Sequence, residues 1–276
     1  MSFLSGRLFN IIFLILSFFI STIGYSKTLI VTDIDDTIKI AHVRGEPFVY
    51  AYAKESRFQG MSELLTNMLQ AIPDSRLVYL SNANSILMGS SHRELLERGN
   101  FPRGELMLRG VRDDKGTFKQ RMLRHLLTSG TYDQAILIGD NGEMDPVHYR
   151  VIAREFQNVR FVQMIHIVYS SSSEATERLS EEQVGYVTPY EIALELWKQH
   201  IVGSDFVNHL AAQIGPQLLG EIDAPKFSPQ FFPKWMDCRD FEWKWEESPD
   251  VALDLEIQAK VSKRCERPPL FEDAPL

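Results

Sequence analysis

Three carboxylates fall within four positions directly behind an apolar run. Leu29-Ile30-Val31-Thr32 reads as a short strand; Asp33, Asp35 and Asp36 follow it, and Thr37 closes the group. Aliphatic and β-branched residues bounded by polar turns favour a strand. Acids this close repel one another unless a cation sits among them. A hard divalent cation such as Mg²⁺ prefers carboxylate oxygen and keeps several waters, so it is the ordinary remedy. An acidic turn after an edge strand is the plain alternative.

Two more apolar strands end in chemistry-bearing residues. Leu77-Val78-Tyr79-Leu80 leads into Ser81-Asn82-Ala83-Asn84, and Ala135-Ile136-Leu137-Ile138 leads into Gly139-Asp140-Asn141-Gly142-Glu143-Met144-Asp145. Ligands of open α/β sheets collect outside the carboxyl ends of strands. Ser81 there can hydrogen-bond a phosphoryl oxygen, or cap the next helix. Asp140 and Asp145 add two oxygen ligands, with Glu143 a lesser choice. Between these strands, Met61–Ala71 and Ile86–Arg98 follow a helical period, and Leu106–Leu108 is a further short strand. Thr117-x-x-Gln120 matches a capping box, which places Lys119 in the first turn of a helix. A helix leading into a parallel strand starts at the same edge as Asp33. Lys119, with Lys115 as its competitor, can therefore neutralise an acid or an anionic substrate there.

Composition narrows the partners. A formal net charge of -8 argues against nonspecific nucleic-acid binding. The two cysteines, Cys238 and Cys265, lie in no Cys-x-x-Cys grouping, so no zinc site is implied; in an oxidising compartment they could pair. Residues 1–26 read as a signal peptide: Arg7, an apolar run over Leu8–Ile20, then small residues. An uncleaved N-terminal membrane anchor is the alternative. Either way the body is exported.

In order along the chain, DIDDTIK, FQGMSELL, VYLSNAN, FPRGELMLRG, TFK and ILIGDNGEMDPVHY resemble the haloacid dehalogenase (HAD) superfamily. Within it they look like the catalytic domain of the actin-patch-associated type of phosphatidate phosphatase and its bacterial relatives. SNAN and GDNG stand where SNSP or SSSP and GDSG are the usual forms. The resemblance implies an α/β fold, a HAD-like Rossmannoid three-layer sandwich with a central parallel sheet and a small cap. It implies a phosphomonoesterase with Asp33 as nucleophile and Asp35 as acid and base. Ser81 and Lys119 would hold the phosphoryl group. Mg²⁺ would be held by Asp33, Asp140, Asp145 and the Asp35 backbone carbonyl. The substrate would be a phosphomonoester, including phosphatidate at a membrane surface. A small-molecule acid phosphatase and a catalytically idle binding protein are the other readings.

The remaining chain carries less chemistry. Phe48–Phe58 is aromatic-rich, a short helix or an irregular flap. Arg160–Val168 reads as a strand in which His166 is structural. Ser170–Gln183 reads as a loop. Thr188-Pro189-Tyr190-Glu191 is a second capping box, opening a helix over Pro189–His200. The HAD-like domain is expected over 27–201, and 202–276 as an extension rich in aromatics and proline.

Overall fold

A computed structural model describes residues 27–45, 47–50, 53–170, 178–222 and 224–269. Its centre is β1 (Thr28–Thr32), in which all five residues are buried. Strands covered on both faces are apolar throughout rather than alternating, which is why this one is so plain in the sequence. β2 (Ser75–Asn84) and β4 (Gln134–Asp140) flank it in parallel, with Val31 opposite Val78 on one side and Leu137 on the other. β3 (Glu105–Arg109), β5 (Arg160–His166) and β6 (Gln183–Tyr186) complete a six-stranded parallel sheet in the order β3-β2-β1-β4-β5-β6. The order reverses between β1 and β4, so their carboxyl ends border the crevice where open α/β sheets bind ligands.

The helical connections are α1 (Pro47–Tyr50), α2 (Met61–Ala71), α3 (Ser85–Arg98), α4 (Phe118–Ser129), α5 (Asp145–Glu155) and α6 (Pro189–Lys198). α2 buries Met61, Leu64, Leu65 and Met68, the stripe its spacing predicts. The Thr188 capping box forms, with the Thr188 amide donating to Glu191 Oε2 at 2.8 Å. The box at Thr117 does not. Thr117 has a near-helical backbone, so its hydroxyl turns to Asp114 Oδ1 at 2.9 Å, and Gln120 Nε2 meets His148 Nδ1 instead. Ser81 does not cap α3 either. β2 stays extended to Asn84, whose Oδ1 accepts from the amides of Ile86 and Leu87. β6 falls in part where a loop was expected; it is four residues long and contains Gly185. The flap read over Phe48–Phe58 holds α1, and residues 51–52 lie outside the described residues.

Beyond Ile201 the chain forms α7 (Ser204–Gly220) and α8 (Val251–Cys265). The buried apolar cluster is continuous from Leu29 to Cys265 and includes Ile214, Phe231 and Trp235. Cys238 and Cys265 are disulfide-bonded. Trp235 stacks on His42, ring centres 4.3 Å apart, and so lays this region against the loop that follows β1. Among the described residues no helix is long and apolar enough to cross a membrane. The leader expected over 1–26 lies outside them.

The disulfide closes a loop with a sequence separation of 27. Replacing both cysteines by alanine is expected to lower the unfolding free energy by about 3 kcal/mol. Urea unfolding with and without reductant checks this; identical curves would contradict it.

Candidate active site

The loop after β1 is held by an acid that does not face the crevice. Asp36 has a left-handed backbone, φ 57°. Its carboxylate accepts from the amides of Ala41, His42 and Val43 at 2.7–2.8 Å and from the Tyr169 hydroxyl at 2.6 Å. Burial pushes this carboxyl up to about 6 against the pull of those four donors. The Asp36 carbonyl in turn meets His166 Nδ1 at 2.9 Å, and His166 Nε2 lies 3.0 Å from the Val187 carbonyl. Burial lowers the His166 pKa to about 4. Two side chains thus tie this turn to β5 and the segment just beyond it, and His166 is structural.

The opposite loop needs bare backbone. A Cβ on Gly139 would lie 2.4 Å from Asp145 Oδ2, and one on Gly142 would lie 2.4 Å from the Tyr169 ring. Without those atoms the loop closes, and the Gly142 amide donates to Asp140 Oδ1 at 2.6 Å. Asn141 locks it to the end of β5: its Oδ1 accepts from the amides of Val168 and Tyr169, and its Nδ2 donates to the Tyr169 carbonyl.

These loops bring Asp33, Asp140 and Asp145 together, with an oxygen from each within 4.8 Å of the others. All three are buried. Lys119 Nζ lies 2.8 Å from Asp33 Oδ1 and 2.5 Å from Asp145 Oδ1. Burial works against the lysine charge, yet Asp145 and Asp33 outweigh it and raise its pKa well above the ordinary value. Burial, with Asp145 close by, pushes the carboxyls of Asp33 and Asp140 far up; Lys119 only partly offsets this at Asp33. Lys115 is elsewhere, exposed and paired with Glu143 at 2.8 Å.

A divalent cation fits this donor set. With all three carboxylates ionised to bind it, a divalent cation would offset the two charges that the single ammonium leaves. Asp145 Oδ2 is also buried with no hydrogen-bond partner among the described residues. Oxygen-only donors of this kind suit Mg²⁺.

The Asp35 carboxylate has partners of its own. Ser81 Oγ donates to its Oδ2 at 3.4 Å, His92 Nε2 lies 3.3 Å from the same oxygen, and Lys39 Nζ lies 3.8 Å from Oδ1. Burial raises the Asp35 pKa, but His92 and Lys39 win and hold it at about 2. Lys39 and His92 are both fully buried, and sequence reasoning passed over them. Lys39 stands four positions beyond Asp35, and His92 shares the buried face of α3 with Leu95. Such spacing marks a core residue as readily as a site residue.

The parallel sheet thus brings an acidic cluster and a lysine to its switch point, where open α/β sheets bind ligands. Residues 28–168, just over half of the chain, match the family described as phosphatidate phosphatase APP1, catalytic domain, and the chain belongs to that family. No curated protein matches. Among solved structures, class C acid phosphatase from Bacillus anthracis with tungstate bound is 18% identical, with 55% of this chain and 72% of that chain covered and a TM-score of 0.35. A second structure of the class C acid phosphatase from that organism is 16% identical over the same shares, with a TM-score of 0.34.

The lowered Asp35 pKa has a stability consequence. A carboxyl with a folded pKa below its unfolded value stabilises the fold above the unfolded value, and the contribution fades as pH falls toward the folded one. From 3.8 to about 2, that is about 2 kcal/mol. The stability gap between the unaltered protein and Asp35→Asn is expected to shrink by that amount between about pH 5 and about pH 2. Urea titrations at each pH measure it, and a pH-independent gap would count against it.

Proposed function

We propose that this phosphatase is an exported, Mg²⁺-dependent phosphomonoesterase whose substrate is a lipid phosphate such as phosphatidate. The observation that carries the chemistry is Asp33 held against Lys119, within the Asp140–Asp145 cluster and two residues from Asp35. Export is supported by the leader pattern of residues 1–26 and by the disulfide. The lipid substrate is supported by the family description.

In this reading the substrate phosphoryl group lies between Lys119 and Ser81. An Asp33 oxygen attacks phosphorus, the ester bond to the leaving oxygen breaks, and an aspartyl-phosphate forms. Asp35 gives its proton to the leaving alcohol, then takes one from the water that attacks the phosphoenzyme. Inorganic phosphate leaves and Asp33 is regenerated. The low Asp35 pKa keeps its carboxylate ionised before substrate binds. For the acid step, the incoming phosphate brings negative charge beside Asp35 and pushes that pKa back up. His92 and Lys39 hold the Asp35 carboxylate between them, and Asp36 keeps the turn in shape. Mg²⁺, held by Asp33, Asp140, Asp145 and the Asp35 backbone carbonyl, would supply charge neutralisation and orientation.

Phosphate release by the full chain from phosphatidate in mixed micelles, beside a panel of water-soluble phosphomonoesters, tests the reading. Asp33→Asn is expected to lose about 10³-fold or more in kcat, and Asp35→Asn about 10²-fold. Release only from soluble esters would leave the small-molecule phosphatase. No release from any substrate would leave the binding protein.

Metal fit has its own measurement. Mg²⁺ at about a hundred times its dissociation constant is expected to stabilise the fold by about 2.7 kcal/mol. Asp140→Asn should lose most of that gain. An equal rise in Tm for both proteins would argue that the ion binds elsewhere.

A further inference from the structure

Nine large apolar side chains stand exposed among the described residues. Five of them sit on connections that leave the carboxyl ends of β1 to β4. Val49 lies in α1, Ile86 and Leu87 in the first turn of α3, Val111 just after β3, and Met144 just before α5. A sixth, Phe227, is brought to the same edge by its contact with Tyr50 of α1, ring centres 5.4 Å apart. None of the nine falls on a helix-to-strand connection at the opposite edge. On the rim the exposure reaches 75% for Ile86, 64% for Leu87 and 62% for Val111; the other three of the nine, Ile222, Val251 and Leu255, belong to the C-terminal region.

This rim is built firmly. Arg109 Nε donates to the Asn82 carbonyl at 2.9 Å and joins the β3 connection to that of β2. The Lys115–Glu143 pair joins it to the β4 loop, and Arg44 Nε donates to the Gly142 carbonyl at 2.6 Å and joins the β1 loop there. Ile86 and Leu87 are fixed by the Asn84 cap on their amides. Exposed apolar groups gathered on one face mark a protein or membrane contact. We infer that this rim is an interfacial docking surface that seats the active-site mouth on a phospholipid bilayer.

The inference rests on the lipid-phosphate reading of the site. The apolar groups are aliphatic, apart from Phe227, and are spread around the mouth rather than gathered in one groove. That arrangement matches a fluid apolar layer better than the packed anchors of a protein interface. Arg112 follows Val111 and is exposed, Arg44 is exposed on the β1 loop, and Lys226 Nζ lies 5.9 Å from the Phe227 ring centre; cations so placed can meet lipid phosphates. Asp33 is only 2% exposed, so a phosphate must descend to it while its hydrocarbon stays at the rim. A small water-soluble ester needs no such collar.

The test places a solvent-sensitive dye at single new cysteines in the full chain. Leu87→Cys and Val111→Cys report the rim; Thr128→Cys, exposed at the far end of α4, reports the opposite edge. Both native cysteines are in the disulfide, which keeps the labelling local. On phosphatidylcholine vesicles containing phosphatidate, blue-shifted and stronger emission is expected at positions 87 and 111 but not at 128. Aqueous emission at both rim positions, on vesicles that bind the protein or on vesicles that do not, overturns the inference. The comparison is unaffected by attachment through residues 1–26, which would not carry a rim dye into the bilayer. A variant with Ile86→Ser, Leu87→Ser and Val111→Ser is expected to lose about tenfold in the ratio of phosphate release from vesicles to release from a short-chain soluble ester. An unchanged ratio, with the Tm preserved, overturns the inference as well. Phosphate release from the labelled samples separates the two readings. Release with aqueous rim dyes removes the docking surface and keeps the lipid substrate. Inserted rim dyes without release keep the surface and remove the substrate.

Discussion

The Lys119 ammonium lies within 2.8 Å of Asp33 and 2.5 Å of Asp145, and all three groups are buried. Burying one unpaired charge is expensive, and three carboxylates at or just beyond the ends of β1 and β4 would compound that cost. The sheet alone cannot relieve it. The relief comes from the first turn of α4, which enters the edge from which β1 and β4 leave. Parallel topology makes this meeting unavoidable: every strand ends, and the next helix begins, on one side. What remains after Lys119 is an anionic pocket suited to a small hard cation and to the phosphoryl group that cation would help to hold. Asp35, two residues from Asp33, is in a different electrostatic setting between Lys39 and His92. Two carboxyls on one short turn thus have pKa values pushed in opposite directions, each by its own neighbours.

The fold was legible where burial is two-sided or spacing is regular. β1 and β4 are continuous apolar runs, α2 shows its stripe, and the Thr188 box announces α6. β6 was hidden because four residues with a glycine at the third carry almost no period. The Thr117 box failed for a local reason: Asp114 competes for the hydroxyl, and a motif cannot express that competition. α7 and α8 were passed over, although Asp250 caps α8 and Leu253, Ile257 and Val261 recur every four positions along it. At the site, Asp33, Asp140, Asp145 and Lys119 could be read because loop acids and a first-turn lysine are conspicuous. Lys39 and His92 could not. A buried cation beside a carboxylate is defined by three-dimensional approach, and His92 reaches Asp35 across 57 residues of chain.

Asp36 shows how a non-reacting acid can shape a reacting one. It satisfies three successive amides and so forces the chain to fold back immediately after Asp35. Its tie to Tyr169 crosses to the far side of the crevice, where Asn141 anchors the loop that carries Asp140 and Asp145. The two halves of the acidic cluster are therefore braced by the same tyrosine. Trp235 stacks on both Tyr169 and His42, so the brace extends into the last quarter of the chain.

That stack has a consequence for the order of events during synthesis. The loop that runs from Asp33 to His42 emerges early, but Trp235, which stacks on His42, lies far later in the chain, and Cys265 is later still. Contacts of such long sequence separation form slowly and only after the intervening chain is available. A nascent chain that has released only the sheet would carry its acidic cluster without that outer packing. The packing of Trp235 over the loops that carry the site therefore waits for the arrival of the C-terminal region.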